Sequence, residues 1–202
     1  DPYSIFADAI LKLRPLEEIG ADPGAAEKGT FIHAALEEFV RRYPVDMPPK
    51  AVDLLLDLGR EAFGDVLSYP AVWAFWWPRF ERIAEWFIDF ETQRRETFRP
   101  LLLETKGTLD IAGPAGGFTL SGTADRIDGD RDGNLSIVDY KTGHPPSFKE
   151  VESGMSPQLA LEAAMAARRG FEDLPGNSVM ELLYIRLGGG TPPGEARSAA
   201  KS

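Results

Sequence analysis

From about Gly24 or Ala25 to Tyr43, apolar residues recur at three- and four-residue steps, with Ile32, Ala35 or Leu36, Phe39 and Tyr43 on one stripe. This predicts an amphipathic helix stopped by Pro44. A shorter helix is expected over residues 2–13, where Tyr3, Phe6, Ile10 and Leu13 keep helical spacing, followed by a loop with Pro15, Gly20 and Pro23. Ala51 to Phe63 reads as another helix. Trp73, Trp76, Phe80, Ile83, Phe87 and Phe90 then alternate three- and four-residue steps, the stripe of a long core helix that breaks or begins afresh at Pro78. Such a stripe serves core packing far more often than base stacking. The opposite side, with Arg79, Glu81, Arg82, Glu85, Asp89, Arg94 and Arg95, reads as a solvated mixed-charge face.

At Pro100 the period changes to two. Leu101–Ile111 and Phe118–Asp128 read as strands joined by a glycine-rich turn, and Gly129–Gly133 turns the chain into a third strand, Leu135–Lys141. Three strands joined by turns make an antiparallel meander. Pro157–Arg168 reads as a helix, Val179–Leu187 as a closing strand, and residues 188–202 as a disordered Gly/Pro/Ala/Ser tail. The order predicts one α/β domain over residues 1–187. Residues 1–98 form its mainly helical part and cover one sheet face, and residues 100–187 form an αβ core.

Composition narrows the class. With 202 residues, 43% of them hydrophobic, the chain can bury one real core. It holds 22 Lys and Arg against 32 Asp and Glu, a net charge of −10. That balance argues against a free-standing nucleic-acid binder, but not against an enzyme whose nucleic acid is held by a partner. The absence of cysteine excludes disulfides, Cys-ligated zinc and iron–sulfur clusters, and fits a cytoplasmic origin. No apolar run is long enough to span a membrane. The opening Asp1-Pro2 in place of Met suggests a piece cut from a longer protein.

The chemistry gathers at Leu135–Gly143. Side chains alternate along a strand, so Asp139 and Lys141 share one side with Leu135 and Ile137, and Tyr140 points to the other. Such a pair fits either an exposed ion pair on an edge or a site at the mouth of a sheet. Asp125, on the neighbouring strand, shifts the balance, because two close carboxylates repel unless a cation neutralises them. Oxygen ligands of this kind suit Mg²⁺ or Mn²⁺, and Lys141 would face the charge developing on a phosphoryl group. Other candidates are weaker. By its helix position alone, His33 reads as a boundary residue. Arg126 could grip a phosphate or pair with Asp128 or Glu104, Glu104 could add a carboxylate, and Asp128, Asp130 and Asp132 fit a hairpin turn better than a calcium loop. His144, beside two prolines, reads as solvent-exposed.

Gly29-x-x-x-His33, Gly122-x-x-Asp125-Arg126-x-Asp128, Asp139-Tyr140-Lys141-Thr142-Gly143 and Gln158-Leu159 occur in that order. Together they resemble the PD-(D/E)xK nuclease superfamily in its RecB-like branch, and within it the C-terminal nuclease domain of AddB-type subunits of AddAB helicase–nucleases. The resemblance implies a restriction-endonuclease-like core, a mixed sheet with flanking helices, and an Mg²⁺- or Mn²⁺-dependent deoxyribonuclease, an exonuclease, acting in double-strand break repair. It implies His33, Asp125, Asp139 and the Tyr140 carbonyl as metal ligands and Lys141 as the catalytic lysine. Gln158 would contact DNA or steady that lysine. It also implies an AddA-type partner that feeds single-stranded ends. A catalytically silent DNA-binding or scaffolding module of the same fold, or a free-standing repair nuclease, are the alternatives. Two departures stand out: Glu162 occupies a position where the branch often carries Tyr, and no cysteine is present to hold the iron–sulfur cluster many such domains carry.

Overall fold

The computed structural model describes residues 24–114, 116–174 and 178–199, with the isolated positions Tyr3, Phe6, Ile10 and Leu11. The helix expected over residues 2–13 therefore lies largely outside the described residues. The first described helix, α1 (Ala25–Arg42), starts where the Gly24 N–H donates to Glu27 Oε2 at 2.7 Å. It ends in Arg41 and Arg42, which pair back to Glu37 and Glu38 one turn earlier and suit the negative end of the helix. Ile32, Ala35, Leu36, Phe39 and Val40 form its buried stripe. Helix α2 (Ala51–Phe63) runs as expected.

A π-helical segment, Val72–Trp76, leads into α3 (Trp77–Arg94), whose first turn takes Pro78. The wider π turn rotates the stripe by about one residue. Trp77, not Trp76, enters the core, followed by Phe80, Ile83 and Phe87, while Trp73 and Phe75 remain 54% and 68% exposed. The expected solvated face of α3 also fails at its end. The Arg94 and Arg95 side chains are each only 6% exposed, because both reach under the sheet to buried carboxylates.

Five strands follow the order β1 (Arg99–Ile111), β2 (Phe118–Gly129), β3 (Leu135–Lys141), β4 (Val179–Arg186), β5 (Glu195–Ser198). The first three form the expected antiparallel meander; β4 runs parallel to β3, and β5 antiparallel to β4. Between β3 and β4 lie α4 (Phe148–Glu152), opened by a capping box of Ser147 and Glu150, and α5 (Gln158–Ala167). Helices α1, α2 and α3 cover the sheet face carrying Val138, Tyr140, Leu183 and Ile185. Helix α5 covers the other, with Ile127, Leu135, Ile137 and Tyr184.

The disordered tail expected from residue 188 is corrected as far as residue 199. Residues 195–198 pair with β4, and Ala199 is buried. The glycines here serve close approach rather than freedom. A Cβ at Gly194 would strike the Trp86 ring, and one at Gly189 would lie 2.5 Å from Arg79 Cβ.

Candidate active site

Strand β3 delivers three consecutive residues to the site from two sides. Asp139 and Lys141 face α5, whereas the Tyr140 ring lies among the helices on the other face. Lys141 Nζ donates to Asp139 Oδ1 at 2.8 Å and to Gln158 Oε1 at 3.2 Å. Gln158, the first residue of α5, donates its Nε2 to the same Asp139 oxygen at 2.7 Å and to Glu162 Oε1 at 3.2 Å. Asp139, Lys141 and Gln158 thus close a ring of hydrogen bonds, with Glu162 one helical turn behind.

Asp125 arrives by an irregularity that period-two reading does not reveal. The β2–β3 ladder ends at Arg126 opposite Val138, and Asp125 turns its Oδ2 to accept the Tyr140 N–H at 2.9 Å. Both β1 and β2 exchange faces at this level. Leu103 and Arg126 face the helices, but Gly107, Gly122 and Ala124 face α5, although regular alternation would put all on one side. Glu104, beside Asp125, adopts the left-handed φ of 44°. Such a local kink re-aims a side chain, and here it aims a carboxylate into the open end of the sheet. Burial and the nearby Asp125 together hold Glu104 above the usual carboxylate range.

His33 reaches the same place from α1. Its Nδ1 lies 4.0 Å from Asp125 Oδ2, and its ring meets Tyr140 edge-on, centroids 5.8 Å apart. Burial, with a smaller contribution from Lys141, holds the imidazole below its ordinary pKa against the pull of Asp125, so it is neutral near pH 7 and keeps a lone pair. Gly29, one turn earlier, makes this possible: a Cβ there would already be 3.1 Å from Thr142 Oγ1, so α1 can press against the end of β3.

The electrostatics are those of crowded carboxylates. Burial raises Asp139 to about 6, with Asp125 adding to the rise and Lys141 and Gln158 opposing it. Burial likewise raises Glu162 to about 7, with Asp139 and Asp125 contributing. Asp139 Oδ2, Glu162 Oε2 and the Tyr184 hydroxyl are all buried without a hydrogen-bond partner. Tyr184 stands directly opposite Asp139 on β4, and burial with these two carboxylates lifts its phenol to about 12. Two carboxylates, a neutral imidazole and an orphaned buried oxygen fit a hard divalent ion in kind. No three His, Asp or Glu side chains among the described residues are already gathered as a ligand set, so an ion would have to draw them in.

A sequence profile of the PD-(D/E)XK nuclease superfamily matches residues 2–201. The chain belongs to this superfamily. The mixed five-stranded sheet with flanking helices is its fold, as expected. Proteins of Rickettsia bellii and Rickettsia felis, both described only as uncharacterized, are 32% identical over 171 residues and 30% identical over 199. A third, from Rickettsia conorii, is 31% identical over 176. These alignments take in 85%, 95% and 85% of the chain but only 21%, 23% and 21% of the relatives. The chain thus spans about a fifth of the length of the curated relatives it matches.

The structure places His33, Asp125, Asp139, Lys141, Gln158 and the Tyr140 N–H at the same end of the sheet, linked in a chain of neighbours. Arg126 does not join them. It is fully buried on the helix side, bonded to Asp128, Glu91 and the Tyr140 hydroxyl, which overturns the phosphate-gripping reading and replaces Glu104 with Glu91 as its partner. Tyr184 was missed. Nothing in the sequence signals it, since Val179–Leu187 reads only as a closing strand and its pairing with β3 appears in the structure alone.

Proposed function

We propose that this domain is a metal-dependent deoxyribonuclease acting as the nuclease module of a helicase–nuclease in double-strand break repair. The observation that carries the hydrolytic reading is the buried, unpartnered Oδ2 of Asp139, beside Asp125 and one bond from Lys141. His33, Asp125, Asp139 and the Tyr140 carbonyl would hold Mg²⁺ or Mn²⁺. When bound, the ion supplies Lewis-acid activation of water and of the phosphoryl group. Lys141 holds an ammonium where negative charge grows on the phosphoryl oxygens, and Gln158 fixes its direction. The Tyr140 N–H orients Asp125, so the position of that carboxylate is tied to the backbone of β3.

The wider role rests on motif order, on an acidic chain that is ill suited to seizing DNA alone, and on relatives several times its length. An AddA-type translocating partner would present the strand. The test is cleavage of labelled single- and double-stranded oligonucleotides with Mg²⁺ or Mn²⁺, repeated with chelator and with Asp139→Asn. Cleavage should need the ion and vanish in the variant. Full activity in chelator, or in the variant, would remove the metal assignment.

A further inference from the structure

Glu91, Asp128, Asp139 and Glu162 are the buried carboxylates among the described residues. Arginines meet the first two, and Lys141 meets Asp139. Glu162, 4% exposed, pairs with no cation among the described residues, and its Oε2 has no hydrogen-bond partner there. An acid left so in an interior costs stability, which points away from a role in holding the fold together. Its one side-chain hydrogen bond among the described residues is that of Oε1 with Gln158 Nε2.

That bond completes the set around one amide. Gln158 Nε2 donates to Asp139 Oδ1 at 2.7 Å and to Glu162 Oε1 at 3.2 Å, while Gln158 Oε1 accepts from Lys141 Nζ at 3.2 Å. Flipped, the amide would set its oxygen against two carboxyl oxygens and its NH2 group against the ammonium, and Lys141 would keep only Asp139 as a tether. The two acids differ in what else they do. Asp139 Oδ1 also accepts from Lys141, whereas Glu162 lies four residues on along the helix that Gln158 begins. Side chains at that spacing meet on one helix face, so the hold of Glu162 on Gln158 is built into α5 alone. A carboxyl keeps one oxygen as an acceptor whether or not the other is protonated, so it calls for the amide nitrogen in either state.

We propose that Glu162 is a positioning residue, which fixes the Gln158 amide with its oxygen toward Lys141 and so keeps the ammonium aimed into the site. This rests on the nuclease reading above and extends it one turn along α5. Glu162 forms no hydrogen bond with Lys141 or Asp139 and acts through Gln158.

The test pairs NMR with kinetics on the 202-residue chain. The Gln158 side-chain amide signals in a nitrogen–proton correlation spectrum, recorded in chelator, are assigned by their loss in Gln158→Ala. Both amide protons should lie downfield in the wild type. One should return toward the free-amide position in Glu162→Met, which removes the acceptor and keeps the bulk, while Glu162→Gln, which keeps an acceptor, should leave both in place. In cleavage assays with Mg²⁺ or Mn²⁺, Glu162→Met should lower kcat about tenfold with KM unchanged, and Glu162→Gln should recover most of that loss. Because the acid acts through Gln158, Glu162→Met/Gln158→Ala should be no slower than Gln158→Ala alone. Thermal melts should place Glu162→Met at or above the wild type, since an unpartnered buried oxygen is gone. Losses that multiply in the double variant, or amide protons that stay in place in Glu162→Met, would overturn the assignment. So would a Glu162→Met protein that melts lower and cleaves at the wild-type rate, which would make the acid a structural support. Downfield amide protons in a wild-type protein that cleaves nothing would keep the Gln158 tether and overturn the nuclease reading.

Discussion

Asp139 carries the sharpest conflict in the molecule, and pH exposes it. Burial raises its carboxyl from 3.8 to about 6, so between those values the folded chain keeps a proton that the unfolded chain has lost. Stability of the metal-free protein therefore falls as pH rises through this window, by on the order of 2–3 kcal/mol from this group. Asp139→Asn should abolish that share. Its melting temperature relative to wild type should climb between pH 4.5 and 7.5 in chelator, and Mg²⁺ should raise the wild-type value alone. A constant gap between the two would show that Asp139 is not held above its ordinary range. Lys141→Ala should behave differently, because Lys141 opposes the rise of Asp139 without being a ligand. At pH 8, metal affinity by calorimetry should survive while the cleavage rate falls about 10²-fold. At pH 6, affinity should drop too, since protons then compete for Asp139; affinity lost equally at both pH values would make Lys141 part of the metal site. Asp139 and Lys141 share a face by strand alternation, and the hairpin brings Asp125 to the same end of the sheet, although its aim depends on a kink that alternation does not state. His33 and Gln158 became legible only through the superfamily motifs, because helical position alone does not say what a residue meets across a tertiary contact. Glu162 and Tyr184, which surround Asp139 from α5 and β4, depend on a parallel crossover whose register no local pattern states.

Among the elements, α3 and β2 are joined by a buried charge network that stands directly behind the site. Arg126 bonds Asp128 at 2.5 Å, Glu91 and, at 3.0 Å, the Tyr140 hydroxyl, and Arg94 reaches Asp128 at 2.6 Å. Arg126, Glu91 and Asp128 are all 0% exposed. Removing one partner from such a cluster strands a charge in the interior, so Glu91→Ala should cost about 3–5 kcal/mol in urea unfolding. A cost under about 1 kcal/mol would mean that water reaches Arg126. Periodicity located α1, α2, α5 and the first four strands to within about two residues, since α1, α2 and the meander each bury one clean stripe or face, but it missed the short α4 and β5. It failed where geometry departs from a single period. The π turn before Trp77 rotated the aromatic stripe, the kink at Glu104 and Asp125 exchanged the faces of two strands, and Arg94 and Arg95 entered the interior because three buried or half-buried acids wait there. The first of these leaves Trp73 and Phe75 exposed; the second aims Asp125 at the Tyr140 N–H.

For the whole molecule, charge and length set how the site can be used. With 22 basic against 32 acidic residues, the long-range field repels DNA. Nonspecific affinity comes mainly from phosphate contacts that release counterions, and the acidic excess opposes each of them. The isolated chain should therefore bind single strands with a dissociation constant above about 1 μM at 0.15 M salt, weakening further as salt rises. Relatives several times longer suggest how this is overcome: a tethered neighbour that grips or drives DNA replaces affinity by local concentration. Fusing the chain through a flexible linker to an unrelated single-strand-binding domain should then raise cleavage of a dilute substrate by about 10²–10⁴-fold without changing the rate at saturation. Steady-state kinetics of the fused and unfused proteins, with Asp139→Asn in each as the background, make the comparison. Submicromolar binding by the unfused chain, or a fusion that leaves kcat/KM where it was, would mean that this domain captures DNA unaided, and the reading of it as a module served by a partner would fall.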